Sequence, residues 1–479
     1  MDVAQVARVP VPPDFFFRAC LLFLHNLNSL APACLFLQIP EQQAEAKAMA
    51  SCGGRGGAPL LFPAMVVVAA AAALVGAAAP PPCYARVFSF GDSLADTGNH
   101  RFVYGPNDTD PAVRLPYGET FFHRATGRFS NGRIVLDFVA NALGLPFVRP
   151  YLSGRRAEDF ASGANFAVGG ATALAPDFFR DRGFDMGDDV VHLDMEMGWF
   201  RDMLGLLCPG DLAGAYMCAT LVASRYIWSS VHDPTNRQVS SLSVPTNSEA
   251  FIADCSDMMS QSLFLVGEIG GNDYNLPLLA RMPFDNVTAF APIVIAKISS
   301  TIAVSIRFDA PYPSLSLTSC TPETSDNKED YEPETGCIGW LNEFARYHNK
   351  LLIEELEKLR KLHPGVTIIY ADNYGAAMEV FLSPEQYGIE YPLVACCGGE
   401  GPYGVSVTSS VKCGRGKYRL CRNPGKYGSW DGMHPSEAVY RAIAMGLLRG
   451  SYMKPPLATT ANSCTYIAEL GFSIESKPL

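Results

Sequence analysis

Basic charge is scarce and scattered. The 479 residues hold 37 Lys and Arg against 48 Asp and Glu, a net charge of −11, and no long Lys/Arg block occurs. Nucleic acid and anionic membrane surfaces need a concentrated basic patch, so neither suits this chain as a partner. A membrane span needs an apolar run of roughly 18–20 residues. The run from Met65 to Ala79 falls short of it, and no stable membrane anchor is expected. No internal repeat is evident, which sets repeat architectures aside. No C-x-x-C pair or neighbouring His accompanies the cysteine cluster Cys396, Cys397, Cys413 and Cys421, which weakens a zinc reading of it.

What is present describes a packed globular protein: hydrophobic residues make up 48% and charged residues 18%. The N-terminal region separates from the rest. From Met49 the chain carries Arg55, the apolar run, then small residues and prolines, the layout of a secretory signal peptide over residues 49–84. An uncleaved anchor is the alternative. Translation is expected to begin at Met49, leaving residues 1–48 as a doubtful extension from the gene model. Fourteen cysteines and N-x-T sequons at Asn107 and Asn286 fit an extracellular or cell-wall location with disulfides and glycans. Which cysteines pair does not follow from their spacing.

From Ala85, short β-branched or aromatic runs alternate with helical patterns. Strands are expected at 85–90, 164–168, 262–270 and 366–370. Helices are expected at 131–144, 338–364 and 435–450, the second with Leu341, Phe344, His348, Leu352 and Leu356 on one stripe. Such alternation implies parallel strands joined by right-handed crossovers, hence an α/β layered domain over residues 85–455 with a short tail at 456–479.

Ligands of such sheets bind beyond the carboxyl ends of the strands. Three polar turns fall there: Ser93 in "FSFGDSLADTGN", Gly169-Gly170, and Asn272 in "GGNDY". Near the C-terminus, "SWDGMHPSEA" places Asp431 three residues before His434. That spacing lets the carboxylate reach the imidazole Nδ1 and leaves Nε2 free to take a proton from a hydroxyl. Serine is a weak nucleophile at neutral pH without such a base. Backbone amides of Ser93 and a glycine, with the Asn272 amide, could meet a developing oxyanion. Taken singly each signal is modest, since Gly-Asp-Ser is a common turn; their joint appearance is what points to chemistry. Asp92, Asp96 and Asn99 read as turn and helix-end acceptors, and Asp273 as the residue that orients its loop. His348 reads as a core histidine, and Arg128 and Arg133 as loop ties.

"FSFGDSLADTGN", "GRFSNGR", "GANFAVGGAT", "GEIGGNDY" and "WDGMHPSEA", in that order, resemble the plant GDSL esterase/lipase family within the SGNH hydrolases, in its sinapine-esterase-like and acetyl-esterase-like branch. The resemblance covers roughly 85–208, 253–300 and 333–450. It implies a flavodoxin-like three-layer α/β/α fold with a parallel central sheet, and a secreted carboxylic-ester hydrolase without a cofactor or metal. Carried over by motif, Ser93 is the nucleophile, His434 the base and Asp431 its orienter. Ser93, Gly170 and Asn272 form the oxyanion hole, with Gly169 the less favoured glycine. The substrate would be a small-molecule or polysaccharide ester, with acyl or acetyl esters preferred over long-chain triglycerides. An acyltransferase on the same site and a non-catalytic wall- or carbohydrate-binding protein are the alternatives.

Two segments depart from that family: residues 209–252 interrupt a short connection, and 304–332 stand where a buried strand is expected. Pro311 and Pro313 argue against a central strand there. The expectation is a sheet opened at that place and a chain that folds poorly around intact catalytic residues.

Overall fold

The computed structural model describes residues 84–105, 111–208, 258–306, 312–315, 327–401, 403–405 and 411–456. The expectations for 1–48, the signal region up to 83, the insertion 209–252, the tail from 457 and the sequon at Asn107 lie outside the described residues. The described residues belong to one compact unit, which runs from Pro82.

Strands β1 (Arg86–Phe90), β2 (Gly163–Asn165), β3 (Ser262–Val266), β4 (Tyr312–Leu315) and β5 (Ile368–Ala371) pair in parallel in the order β5-β4-β3-β1-β2. Two short pairs follow: β6 (Tyr391–Ala395) with β9 (Tyr427–Ser429), and β7 (Cys397–Gly398) with β8 (Arg419–Leu420). Strand β10 (Met453–Lys454) closes the large sheet as an antiparallel edge on β5.

The side-chain period of two explains the layers. On β1, β3 and β5, Phe88, Phe90, Phe264, Val266, Ile368 and Tyr370 belong to one buried cluster. Their neighbours Val87, Leu263, Leu265, Ile369 and Ala371 belong to another. A strand buried on both faces must be apolar at every position, which is why these runs are continuous rather than alternating. Helix α1 (Val135–Ala142) shares the second cluster with α6 (Asn373–Leu382) and α7 (Glu437–Leu448). Helices α2 (Leu193–Leu207), α4 (Ala291–Ile306) and α5 (Gly339–Leu362) pack in the first, and α3 (Gly271–Leu279) opens directly beyond β3. Helix, sheet and helix layers make the α/β/α sandwich. Among the described residues one stretch, Phe284–Ser305, is long and apolar enough to cross a membrane, but half of its most apolar 18-residue window is buried within this fold. Val294, Ile298 and Ile302 of α4 are core residues of the first cluster.

Local chemistry sets the helix ends. The stripe on α5 is buried at all five expected positions. Helix α1 starts at Val135 rather than Asn131, because the Asp137 carboxylate accepts from the Ile134 amide and closes the first turn there. Helix α7 starts after Ser436, whose hydroxyl accepts from the Val439 amide at 3.5 Å.

The expected gap in the sheet is not there. Tyr312–Leu315 occupies the slot between β3 and β5, with Pro313 in register with Ile369. A proline removes one ladder donor and leaves the φ of an extended strand accessible. The short strand therefore pairs with β5 at four positions and with β3 only at Ser314, opposite Val266.

Candidate active site

The polar turns leaving β1, β2 and β3 gather at the carboxyl end of the sheet, where the loop before α7 meets them. Gly91 turns the chain out of β1 with φ +153°, and a Cβ there would stand 2.7 Å from the Glu268 carbonyl. The turn is pinned from below: the Gly91 amide donates to Glu196 Oε2 at 2.9 Å and the Asp92 amide to the Glu268 carbonyl at 3.0 Å. Asp92 accepts from the Leu94 amide, and Asp96 accepts from the amides of Gly98, Asn99, His100 and Gly169. Asn99 bonds the carbonyls of Asn165 and Ala167 and the amide of Leu152. These residues serve the backbone, as the turn reading expects. Burial pushes the Asp92 carboxyl up to about 7, against the Leu94 amide and the charge of His434, which pull it down.

Ser93 and His434, 341 residues apart, come together. The distance from Ser93 Oγ to His434 Nε2 is 2.9 Å, and from His434 Nδ1 to Asp431 Oδ2 2.7 Å. Asp431 Oδ1 accepts from the amides of Met433 and His434, and Tyr117 donates its hydroxyl to Oδ2 at 2.6 Å. Burial would raise the Asp431 carboxyl; the charge of His434 and the hydrogen bonds from His434 and Tyr117 outweigh it and hold the group at about 2. Asp431 is therefore ionised at any physiological pH and fixes the imidazole with a proton on Nδ1. Nε2 is left to accept from Ser93. Phe129 lies against the imidazole, with ring centroids 4.8 Å apart.

The other sequence candidates lie on the turns that follow β2 and β3. Gly170 has φ +86° and no atom within 4 Å of where a Cβ would stand. Among the described residues, neither the Ser93 amide nor the Gly170 amide donates to a protein acceptor. Asn272, in the first turn of α3, spends one amide hydrogen on the Ala171 carbonyl at 2.9 Å, which turns its side chain toward the Gly170 loop. Gly169, the other candidate glycine, has its amide on Asp96 and its carbonyl on His100. Asp273 bonds the amides of Ala173 and Leu174 and so ties this loop to α3. Burial raises its carboxyl to about 7. Arg128 makes a bidentate buried pair with Asp137, and Arg133 pairs with Glu437. His348 is buried on α5 and bonded to the Tyr274 hydroxyl at 2.8 Å; burial holds it down at about 4.

The cysteine cluster forms two disulfides, Cys396–Cys421 and Cys397–Cys413, so those sulfurs are not zinc ligands. Together they brace the segment just ahead of Asp431: the Cys396 amide donates to the Ser429 carbonyl and the Cys397 amide to that of Trp430. Sequence reasoning missed Tyr117, Glu196 and this bracing. Tyr117 sits 314 residues from Asp431 in a turn without periodicity, so nothing local marks it. Glu196 stands among the acidic and apolar residues of α2 as any surface glutamate would, yet it is fully buried.

A parallel α/β sandwich with a hydroxyl, an imidazole and a carboxylate in hydrogen-bonded file at its strand ends defines the class of a hydrolase. Comparison with known proteins gives the family: residues 87–447 match the GDSL-like lipase/acylhydrolase model. A GDSL esterase/lipase of Arabidopsis thaliana is 40% identical over 389 residues, 78% of this chain and 84% of its own length. A second from the same plant is 38% identical over 382 residues, 78% of this chain and 86% of its own. Sinapine esterase of Brassica napus is 36% identical over 381 residues, 78% of this chain and 87% of its own. The chain belongs to the plant GDSL esterase/lipase family, and it is a carboxylic-ester hydrolase.

Proposed function

We propose that the chain is a secreted serine esterase that works through an acyl-enzyme on Ser93. The observation that carries this reading is the unbroken file Ser93 Oγ, His434 Nε2, His434 Nδ1, Asp431 Oδ2, with spacings of 2.9 and 2.7 Å. Ser93 Oγ attacks the ester carbonyl carbon while its proton passes to Nε2. The carbonyl oxygen, now negative, is met by the amides of Ser93 and Gly170 and the free hydrogen of the Asn272 amide. Collapse of the tetrahedral species breaks the bond to the alcohol oxygen, which leaves with the proton from His434. Water then attacks the acyl carbon, gives its proton to Nε2, and the carboxylic acid departs as Ser93 regains its hydrogen. Asp431 holds the imidazole and stabilises its charged form.

Secretion is supported by the signal-like segment ahead of the fold and by the two disulfides, which persist in oxidising compartments. The exposed Asn286 of the sequon Asn286-Val287-Thr288 would then carry a glycan. Acyl or acetyl esters are the proposed substrates; sinapine, acetylated xylan and a triglyceride are the panel that ranks them. The non-catalytic alternative took its motive from a missing strand, and β4 removes that motive.

Diisopropyl fluorophosphate tests the acyl-enzyme directly. Peptide mass mapping is expected to find one phosphoryl adduct, on Ser93, in the native protein and none in His434→Ala. An adduct on a different serine, or equal labelling of both proteins, overturns the proposal.

A further inference from the structure

Next to the nucleophile loop, His100 has no part in the proton path from Ser93 to Asp431. It opens the single helical turn His100–Val103, is 7% exposed, and points its Nδ1 at the Gly169 carbonyl 3.1 Å away. That carbonyl belongs to the peptide unit whose other end is the Gly170 amide. In a trans peptide the C=O and N–H point in opposite directions within one plane. Whatever fixes the Gly169 carbonyl therefore aims the Gly170 N–H. A carbonyl oxygen only accepts, so His100 Nδ1 carries the hydrogen of this bond.

The peptide unit before it is held as firmly. The Gly169 amide donates to Asp96 Oδ2 at 2.9 Å, and that same oxygen accepts from the His100 amide at 3.0 Å, so one carboxylate joins the two residues. A side chain at position 169 would put its Cβ 2.3 Å from the Phe129 ring and 3.1 Å from His100 Nδ1. His100 packs edge to face on Phe129, with ring centroids 5.6 Å apart, and Phe129 in turn lies against His434. Gly170, by contrast, meets nothing on the side where a Cβ would stand, and its amide has no protein acceptor among the described residues. A buried donor thus grips one end of a peptide whose other end is open.

We propose that His100 is a positioning residue: its Nδ1–H, bonded to the Gly169 carbonyl, sets the direction in which the Gly170 amide meets the oxyanion. The inference rests on the serine-esterase reading and on Gly170 as an oxyanion donor. A free peptide plane would rotate about the adjoining Gly169 and Gly170 torsions, which lack a Cβ to limit them. Holding it beforehand removes that reorganisation from the barrier, and this is how fixed donors accelerate acyl transfer.

Asparagine and leucine have the same shape, and an asparagine Nδ2 stands where the histidine Nδ1 does. His100 also packs against the Tyr104 ring, with centroids 4.6 Å apart; both variants lose the ring contacts with Phe129 and Tyr104, so the difference between His100→Asn and His100→Leu isolates the donor. With p-nitrophenyl acetate, His100→Leu is expected to lose about tenfold or more in kcat relative to His100→Asn, part of the 10²- to 10³-fold that deleting a whole oxyanion donor costs. KM should stay within about twofold, because the ground-state ester carbonyl depends little on this donor. Affinity for a trifluoromethyl ketone, which adds Ser93 to form a tetrahedral oxyanion, should fall in parallel with kcat. Equal kcat and equal ketone affinity in the two variants overturns the proposal. Should His100→Leu fail to fold, His100→Gln replaces it, since its amide extends one methylene too far to take the place of Nδ1; its kcat and ketone affinity must then fall below those of His100→Asn. Ser93→Ala runs alongside: if it turns over like the native protein, the underlying esterase reading fails. If it is inactive while the His100 variants match, only the role of His100 fails.

Discussion

Asp431 receives four donors: the imidazole and the Tyr117 hydroxyl on Oδ2, and the amides of Met433 and His434 on Oδ1. A buried carboxylate tolerates ionisation only with such company. Tyr117→Phe removes one charge-assisted bond and keeps the ring that packs edge to face on Trp430. Hydrogen bonds to charged groups are worth about 1.5–3 kcal/mol, so a stability loss of about 2 kcal/mol is expected in a urea titration. No change in midpoint would show that Asp431 does not depend on this hydroxyl. Short-range chemistry made Ser93, Asp431 and His434 legible in the sequence: a Gly-flanked serine after an apolar run, and a carboxylate one turn from an imidazole. Tyr117 and Glu196 were not legible, because each acts through the tertiary fold. Tyr117 meets a partner 314 positions away, and Glu196 reaches the Gly91 amide 105 positions away.

At the scale of elements, the apolar runs of β1, β3 and β5 and the five-residue stripe on α5 announced both layers of the core. Element boundaries were less visible. Helix α1 begins four residues later than its apolar pattern, because a carboxylate at 137 caps the chain at 134. The slot of β4 was misread for a physical reason: proline counts against a strand by its missing donor, yet a four-residue strand can spend that loss on one ladder position. Helix α5 also carries a pH dependence. Burial keeps His348 neutral down to about 4, whereas the same side chain in the unfolded state takes its proton near 6.5. Between those values the unfolded chain binds the extra proton, so the contribution of His348 is full above pH 6.5 and falls as pH drops toward 4. Its size is on the order of 3 kcal/mol. Asp92 and Asp273, raised by burial to about 7, run the other way over an overlapping range. The test is therefore a difference: denaturant titrations of the native protein and His348→Leu should show the native protein losing ground to the variant by most of that amount between pH 7 and 4.5. A pH-independent difference would contradict it.

For the whole molecule, the sheet gathers at one end the ends of three strands and the loop before the last helix, from positions 91 to 434 of the chain. Two disulfides brace the loop that carries Asp431 and His434, and α3 ties the Gly170 loop through Asp273. The net charge of −11 does not favour polyanionic partners. All of this architecture serves one claim, that Ser93 is the atom donor of the covalent intermediate. The most direct measurement is the kcat/KM of p-nitrophenyl acetate hydrolysis by the native protein and by Ser93→Ala. The account predicts a loss of about 10³-fold or more with the fold retained, equivalent to roughly 4 kcal/mol of barrier. Equal rates from the two proteins would contradict it.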